Sequence, residues 1–239
     1  LRSGPGRGEP YIHFIDNTNN TIPDFLKEQN YEVFQSNLCT EILLQTSKEK
    51  TAVCCLSSIN LDKWDEYKEN YQFFRDIMEM LDNVLQYFID NAPHQISRAV
   101  LSAKEERSVG LGVMGFHSYL QQKNIPFDGV MAKVVNNKIF KTIREFVDKA
   151  NYELGEERGS PKLLENTGRR FAFTQAIAPT ATNALICGNV SPSIEPWRAN
   201  AFRQDTLSGT FIQKNKYLDK LIKEKHNQGI LNYDKTWLE

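Results

Sequence analysis

The sequence is short of most features that would announce a function at once. Its 239 residues include only four cysteines, Cys39, Cys54, Cys55 and Cys187, with no C-x-x-C pair. That excludes a disulfide scaffold and a structural zinc site of ordinary spacing. The histidines, His13, His94, His117 and His226, are scattered without an H-x-x-x-H pair, so no metal site is expected. Basic charge is not in excess: 29 Lys and Arg against 30 Asp and Glu leave a formal charge of −1, which argues against nucleic acid as a partner. No apolar run approaches the roughly 18 residues that span a bilayer. The opening "LRSGPGRGEP" lacks the apolar centre of a signal peptide and reads as a loop entered midway, so a piece of a longer chain is expected. A cytoplasmic protein with free thiols fits these absences, and the N-x-[ST] matches at Asn19 and Asn189 are then chance.

What is present alternates between strand-like and helix-like patterns. "YIHFI" (Tyr11 to Ile15) reads as a short strand. "EILLQTS" and "TAVCCLSSIN", separated by "KEK", read as two neighbouring strands or a hairpin. From Asp62 to Asn91, Trp64, Tyr67, Tyr71, Phe74, Met78, Leu81, Leu85 and Phe88 recur at three- and four-residue intervals and predict a long amphipathic helix. A second is predicted from Val130 to Leu154, and "GLGVMGFHSYLQQK" between them reads as a glycine-rich entry to a shorter one. "FAFTQAIA" is expected as a strand, Pro179 to Pro196 as turns, and "TFIQ" as the lead to a last helix with Tyr217, Leu218, Leu221 and Ile222. Strands divided by amphipathic helices mean α/β architecture, in one domain over residues 1–239. The pattern G-x-G-x-x-G at Gly110, Gly112 and Gly115 is not taken as a dinucleotide site. Charged "SAKEERS" precedes it, and no acidic residue follows at the ribose spacing.

Two short stretches carry candidate chemistry. In "SNLCTEI" (Ser36 to Ile42), an extended chain would put Asn37, Cys39 and Glu41 on one face. A lone cysteine is most often a small buried residue, but a carboxylate aimed at the same side is costly unless paired or functional. In "APTATNALICGNVSPSIEP" (Ala178 to Pro196), Thr180, Thr182 and Asn183 precede an apolar "ALI" that could open a helix. Hydroxyls and free N–H groups at a helix start can hold phosphate, though an ordinary N-cap gives the same pattern.

"SNLCTEI", "AVCCLSSINL", "RSVGLGVMGFHSYL", "APTATNALICGNVSPSIEP" and "RANAFRQDTLSGTF", in that order, resemble the large catalytic subunit of class I ribonucleotide reductases. The resemblance implies part of a ten-stranded α/β barrel, with a finger loop at about residues 36–46 and a phosphate-binding turn at about 178–190. By match to the family's motifs, Cys39 would carry a thiyl radical that takes the 3′-hydrogen of the ribose. Glu41 would be the base on the 3′-hydroxyl, and Asn37 would hydrogen-bond the substrate hydroxyls. Cys54 would be one of two redox-active cysteines, with Cys55 beside it leaving open which thiol faces the site. Ser36, Pro179, Thr180, Ala181, Thr182 and Asn183 would bind substrate. Ala181 and Asn183 depart from the commoner polar and hydroxyl residues of the motif.

The resemblance further implies ribonucleoside diphosphates as substrates for deoxyribonucleotide synthesis, with no cofactor bound directly. The radical would come from a metal-containing small subunit, and the electrons from a thioredoxin- or glutaredoxin-like donor. In the family, the other redox cysteine and the specificity site lie upstream of these motifs. The radical-relay tyrosines and the tail cysteines lie downstream. The remaining parts of a large subunit are therefore expected partners, this polypeptide alone is expected to be inactive, and exposed barrel edges imply self-association. Two rival expectations stand: a non-catalytic split or degenerate fragment acting in assembly with a partner chain, and a cysteine hydrolase, which needs a histidine at Cys39.

Overall fold

The computed structural model describes residues 11–206 and 209–231. The opening "LRSGPGRGEP", expected as a loop, and the closing "NYDKTWLE" lie outside the described residues. In order, the elements are α1 (Ile15–Thr21), α2 (Asp24–Lys27), β1 (Leu56–Asn60), α3 (Trp64–Tyr67), α4 (Tyr71–Asn91), α5 (Ser97–Glu106), β2 (Gly110–Met114), α6 (Phe116–Gln122), α7 (Val130–Arg158), α8 (Asn183–Ile186), β3 (Ala201–Thr206), β4 (Gly209–Lys214) and α9 (Lys216–Asn227). β1 and β2 form one two-stranded sheet; β3 and β4 form another, an antiparallel hairpin. No helix among the described residues is long and apolar enough to cross a membrane.

The residues cluster into two compact units. The first holds the described residues up to Ser57, Asn70–Gly112 and Ile143–Ala178; the second holds Ser58–Glu69, Val113–Thr142 and the described residues from Pro179.

In the first unit, helical periodicity decides the core. Phe74, Met78, Leu81, Leu85 and Ile89 of α4 are buried along one stripe. Ile143, Val147, Ala150 and Leu154 of α7 make a second. The expected helix from Asp62 to Asn91 is broken, because Asn70 caps a new start by accepting the Phe73 N–H at 3.3 Å. Its apolar face also carries charge. Asp82, 1% exposed, lies in phase with Met78 and Leu85 and meets three arginines: Arg107 at 2.7 Å, Arg158 at 2.8 Å and Arg170 at 3.0 Å. Burial opposes ionisation of Asp82, yet these arginines hold its carboxyl below the ordinary range.

Strand expectations fared worse than helix expectations. Tyr11 to Phe14 form no strand and α1 starts at Ile15; Tyr11, Ile12 and Phe14 are exposed, with no sheet to pack against. "EILLQTS" is not a strand, and only the end of "TAVCCLSSIN" becomes one, paired with β2 instead of in a hairpin. "FAFTQAIA" contributes a single parallel bridge, Gln175 to Leu111. Close packing explains the first glycine of the G-x-G-x-x-G pattern, since a Cβ on Gly110 would collide with the side chains of Leu56 and Ala176.

Candidate active site

The Cys39 segment is a turn rather than a strand. Asn37 and Ile42 exchange hydrogen bonds: the Asn37 N–H donates to Ile42 O at 3.2 Å, and the Ile42 N–H donates to Asn37 Oδ1 at 3.0 Å. Thr40 N–H returns to Asn37 O at 3.1 Å, and Thr40 takes φ 65°. That left-handed conformation costs a β-branched residue roughly 1–2 kcal/mol, and such strain gathers at functional sites. Because the turn closes here, Asn37 Nδ2 donates to Glu41 Oε2 at 2.8 Å. The amide and the carboxylate do share a face, but turn closure brings them together, not strand pleating. Leu38 and Cys39 are exposed between them, and Ser36 Oγ donates to Asn37 O at 3.2 Å.

Cys54 lies beside this turn. A cavity of about 220 Å³ is lined by Glu41, both Cys54 and Cys55, Ser108, Phe173 and Gln175 among others. Partial burial pushes the Cys54 thiol up from its ordinary value, and the negative charges of Glu41 and Cys39 push the same way. The two adjacent cysteines divide as sequence neighbours on an extended chain should. Cys54 is exposed, whereas Cys55 is buried, contacts Leu81 O at 3.8 Å and is pushed up to about 11, mainly by burial. No hydrogen bond joins a histidine to Cys39 among the described residues, so the hydrolase reading has no base there. Sequence reasoning missed Ser108 and Gln175; their only signal was position in segments that flank strands.

The substrate-binding candidates Pro179 to Asn183 belong to the second unit. Thr180, at φ 49°, accepts the Ser193 N–H on Oγ1 at 2.8 Å and the Ala184 N–H on its carbonyl at 2.9 Å. Its hydroxyl lone pairs are thus partly committed to the fold. Ala181, Thr182 and Asn183 are exposed at the start of the one-turn α8. The return arm is pinned to α6: Ser118 and Ser191 exchange N–H to hydroxyl bonds at 3.1 and 2.8 Å, and Trp197 N–H donates to His117 Nδ1 at 3.0 Å.

Residues 3–163 and 161–234 match the family described as "Ribonucleotide reductase, barrel domain". This chain belongs to that family. It is similar to the ribonucleoside-diphosphate reductase large subunit of Invertebrate iridescent virus 3, at 51% identity over 91% of this chain and 35% of the relative. The corresponding subunit of Invertebrate iridescent virus 6 is 56% identical over 81% of this chain and 20% of the relative. Among solved structures, the Actinobacillus ureae class Id ribonucleotide reductase alpha subunit superposes with TM-score 0.83 at 41% identity, over 93% of this chain and 41% of that one. The chain thus spans about a fifth to a third of these viral large subunits. The expected α/β barrel is the fold of this reductase family, and the chain carries part of it.

Proposed function

We propose that this chain supplies the catalytic centre of a ribonucleoside-diphosphate reductase large subunit. The observation that carries the reading is the Asn37–Glu41 pair, 2.8 Å apart around Cys39, with Glu41 and Cys54 lining one cavity. A thiyl radical on Cys39 takes the 3′-hydrogen of the ribose while Glu41 accepts the 3′-hydroxyl proton. Asn37, already bonded to Glu41, orients that carboxylate and the substrate hydroxyls. The 2′-hydroxyl then takes a proton from the thiol pair and leaves as water. Cys54 and a second thiol supply two electrons and their other hydrogen to C2′ and end as a disulfide. Glu41 returns its proton to the 3′-oxygen as the 3′-hydrogen comes back from Cys39 and the radical is restored there. Ser36, Pro179, Thr180, Ala181, Thr182 and Asn183 are assigned to substrate binding, the last five to its diphosphate. Cys54 is preferred over Cys55 as the redox thiol, because the Cys55 sulfur is buried against Leu81.

The radical would come from a metal-containing small subunit and the electrons from a thioredoxin- or glutaredoxin-like donor, in the cytoplasm. The remaining parts of a large subunit and further copies of this chain are the other proposed partners. The test is a graft: residues 11–231 replace the matching segment in the large subunit of Invertebrate iridescent virus 3, with its small subunit and a dithiol present. Deoxynucleotide formation by the graft, and none by the isolated 239-residue chain, is expected. A silent graft in a folded, diphosphate-binding subunit would refute the reading and favour a non-catalytic assembly role.

A further inference from the structure

The cavity beside Cys54 stands on a carboxylate that no step above uses. Glu106, at the end of α5, is 2% exposed and accepts three hydroxyls: Ser102 Oγ at 2.8 Å, Ser108 Oγ at 2.9 Å and Tyr31 OH at 3.0 Å. Tyr31 OH in turn accepts the Gln45 N–H at 2.8 Å. One unbroken string of hydrogen bonds therefore runs from the arm that leaves Cys39, at Gln45, through Tyr31 on the arm that approaches it. It continues to Glu106 and ends at Ser108 in the cavity wall. The Tyr31 ring also lies 6.0 Å from Phe173, another wall residue. The preceding residue, Glu105, holds the same loop farther down its departing arm through Lys50 at 2.5 Å.

Burial pushes the Glu106 carboxyl above its ordinary value, and the hydrogen bonds from Ser102, Ser108 and Tyr31 oppose that shift only in part. Sites of this kind need their reacting groups fixed by a supporting layer of packed and bonded residues. Tyr31 donates from the loop that carries Cys39, whereas Ser102 and Ser108 belong to Glu106's own stretch. That stretch runs on to Gly110, whose N–H donates to Cys55 O at 2.9 Å, so the Tyr31–Glu106 bond ties the loop to the segment that carries Cys54.

We propose that Glu106 is a positioning residue: through Tyr31 and Ser108 it sets the loop carrying Cys39 in register with the segment carrying Cys54. The purpose rests on the reductase reading, but the geometry does not, and the test needs no turnover. In the 239-residue chain with Cys187→Ser, a short bis-maleimide is used to bridge Cys39 and Cys54, with the product mapped by peptide mass spectrometry. Tyr31→Phe keeps the ring and removes the bridge. It is expected to slow cross-linking at least about fivefold while the first attachment at each thiol proceeds at the parent rate. Ser108→Ala is expected to slow it too, and Ser108→Thr, which keeps the hydroxyl, to restore it. Cooperative melting above the assay temperature establishes that each variant is folded. If Tyr31→Phe does not fold, the Ser108 pair decides. Equal cross-linking in Ser108→Ala and Ser108→Thr, an unchanged rate in folded Tyr31→Phe, or no cross-link in the parent would overturn the proposal. A slowed cross-link beside an inactive graft would sink the reductase reading alone.

Discussion

At its tip the Cys39 loop is held by local bonds near water: Asn37 to Glu41, Asn37 to Ile42, and a strained Thr40. At its root the same loop is held by Tyr31 on a fully buried Glu106. That root stands beside the stack of Asp82 with Arg107, Arg158 and Arg170. Glu106 and Arg107 are adjacent, so α5 ends by sending one charge to the loop and the next into the charge cluster. The difference separates two tasks. The side chains proposed to react are exposed or half-buried and lightly tied, and the rigidity that role needs comes from buried polar groups underneath. Substitutions at the tip should then cost activity, and substitutions at the root should cost stability.

The harshest test of that division is Asp82→Asn. It leaves three arginines around a site without its charge, and breaking a buried pair costs about 3–5 kcal/mol. Urea unfolding should show a loss of that size; a change near zero would erase the contrast between root and tip. Gly155→Ala should follow at roughly 1–3 kcal/mol. A Cβ there meets the Gly168 backbone, which outweighs the better helix propensity of alanine. Asn37→Ala at the tip removes part-buried hydrogen bonds worth roughly 0.5–1.5 kcal/mol. The same variant should nonetheless abolish reduction in the graft, and a variant both stable and active would break the comparison.

The smallest effect lies in pH. Cys55 has its thiol pushed up to about 11 by burial, so its stabilisation is complete below pH 9 and is lost as pH rises toward 11. Cys54 carries a smaller upward shift, from partial burial and then Glu41. Thiol alkylation followed against pH should label Cys54 before Cys55, and Glu41→Gln should bring Cys54 labelling to lower pH. The reverse order would mean that Cys55, not Cys54, is the more accessible of the two thiols.

Much of this was legible in the sequence, and the rest was hidden for physical reasons. α4 and α7 were visible because long helices repeat their apolar residues every three or four positions. The strands were less so: only the end of "TAVCCLSSIN" is β1, and β2 is five residues long and buried throughout, leaving no alternation to read. "YIHFI" had strand-like composition, but composition does not supply a partner strand. Asn37 and Glu41 were placed together correctly, though a turn does the work that an extended chain was expected to do. Nothing in the sequence marked Glu106 as interior, and for Asp82 only its phase with Met78 and Leu85 did.

The central claim is that Cys39 carries the reaction, and replacing it alone in the graft tests that most directly. Cys39→Ser differs by one atom at an exposed position, so folding and diphosphate binding should be retained. The account predicts that deoxynucleotide formation disappears in this variant. Reduction continuing at a measurable fraction of the parent rate would contradict it.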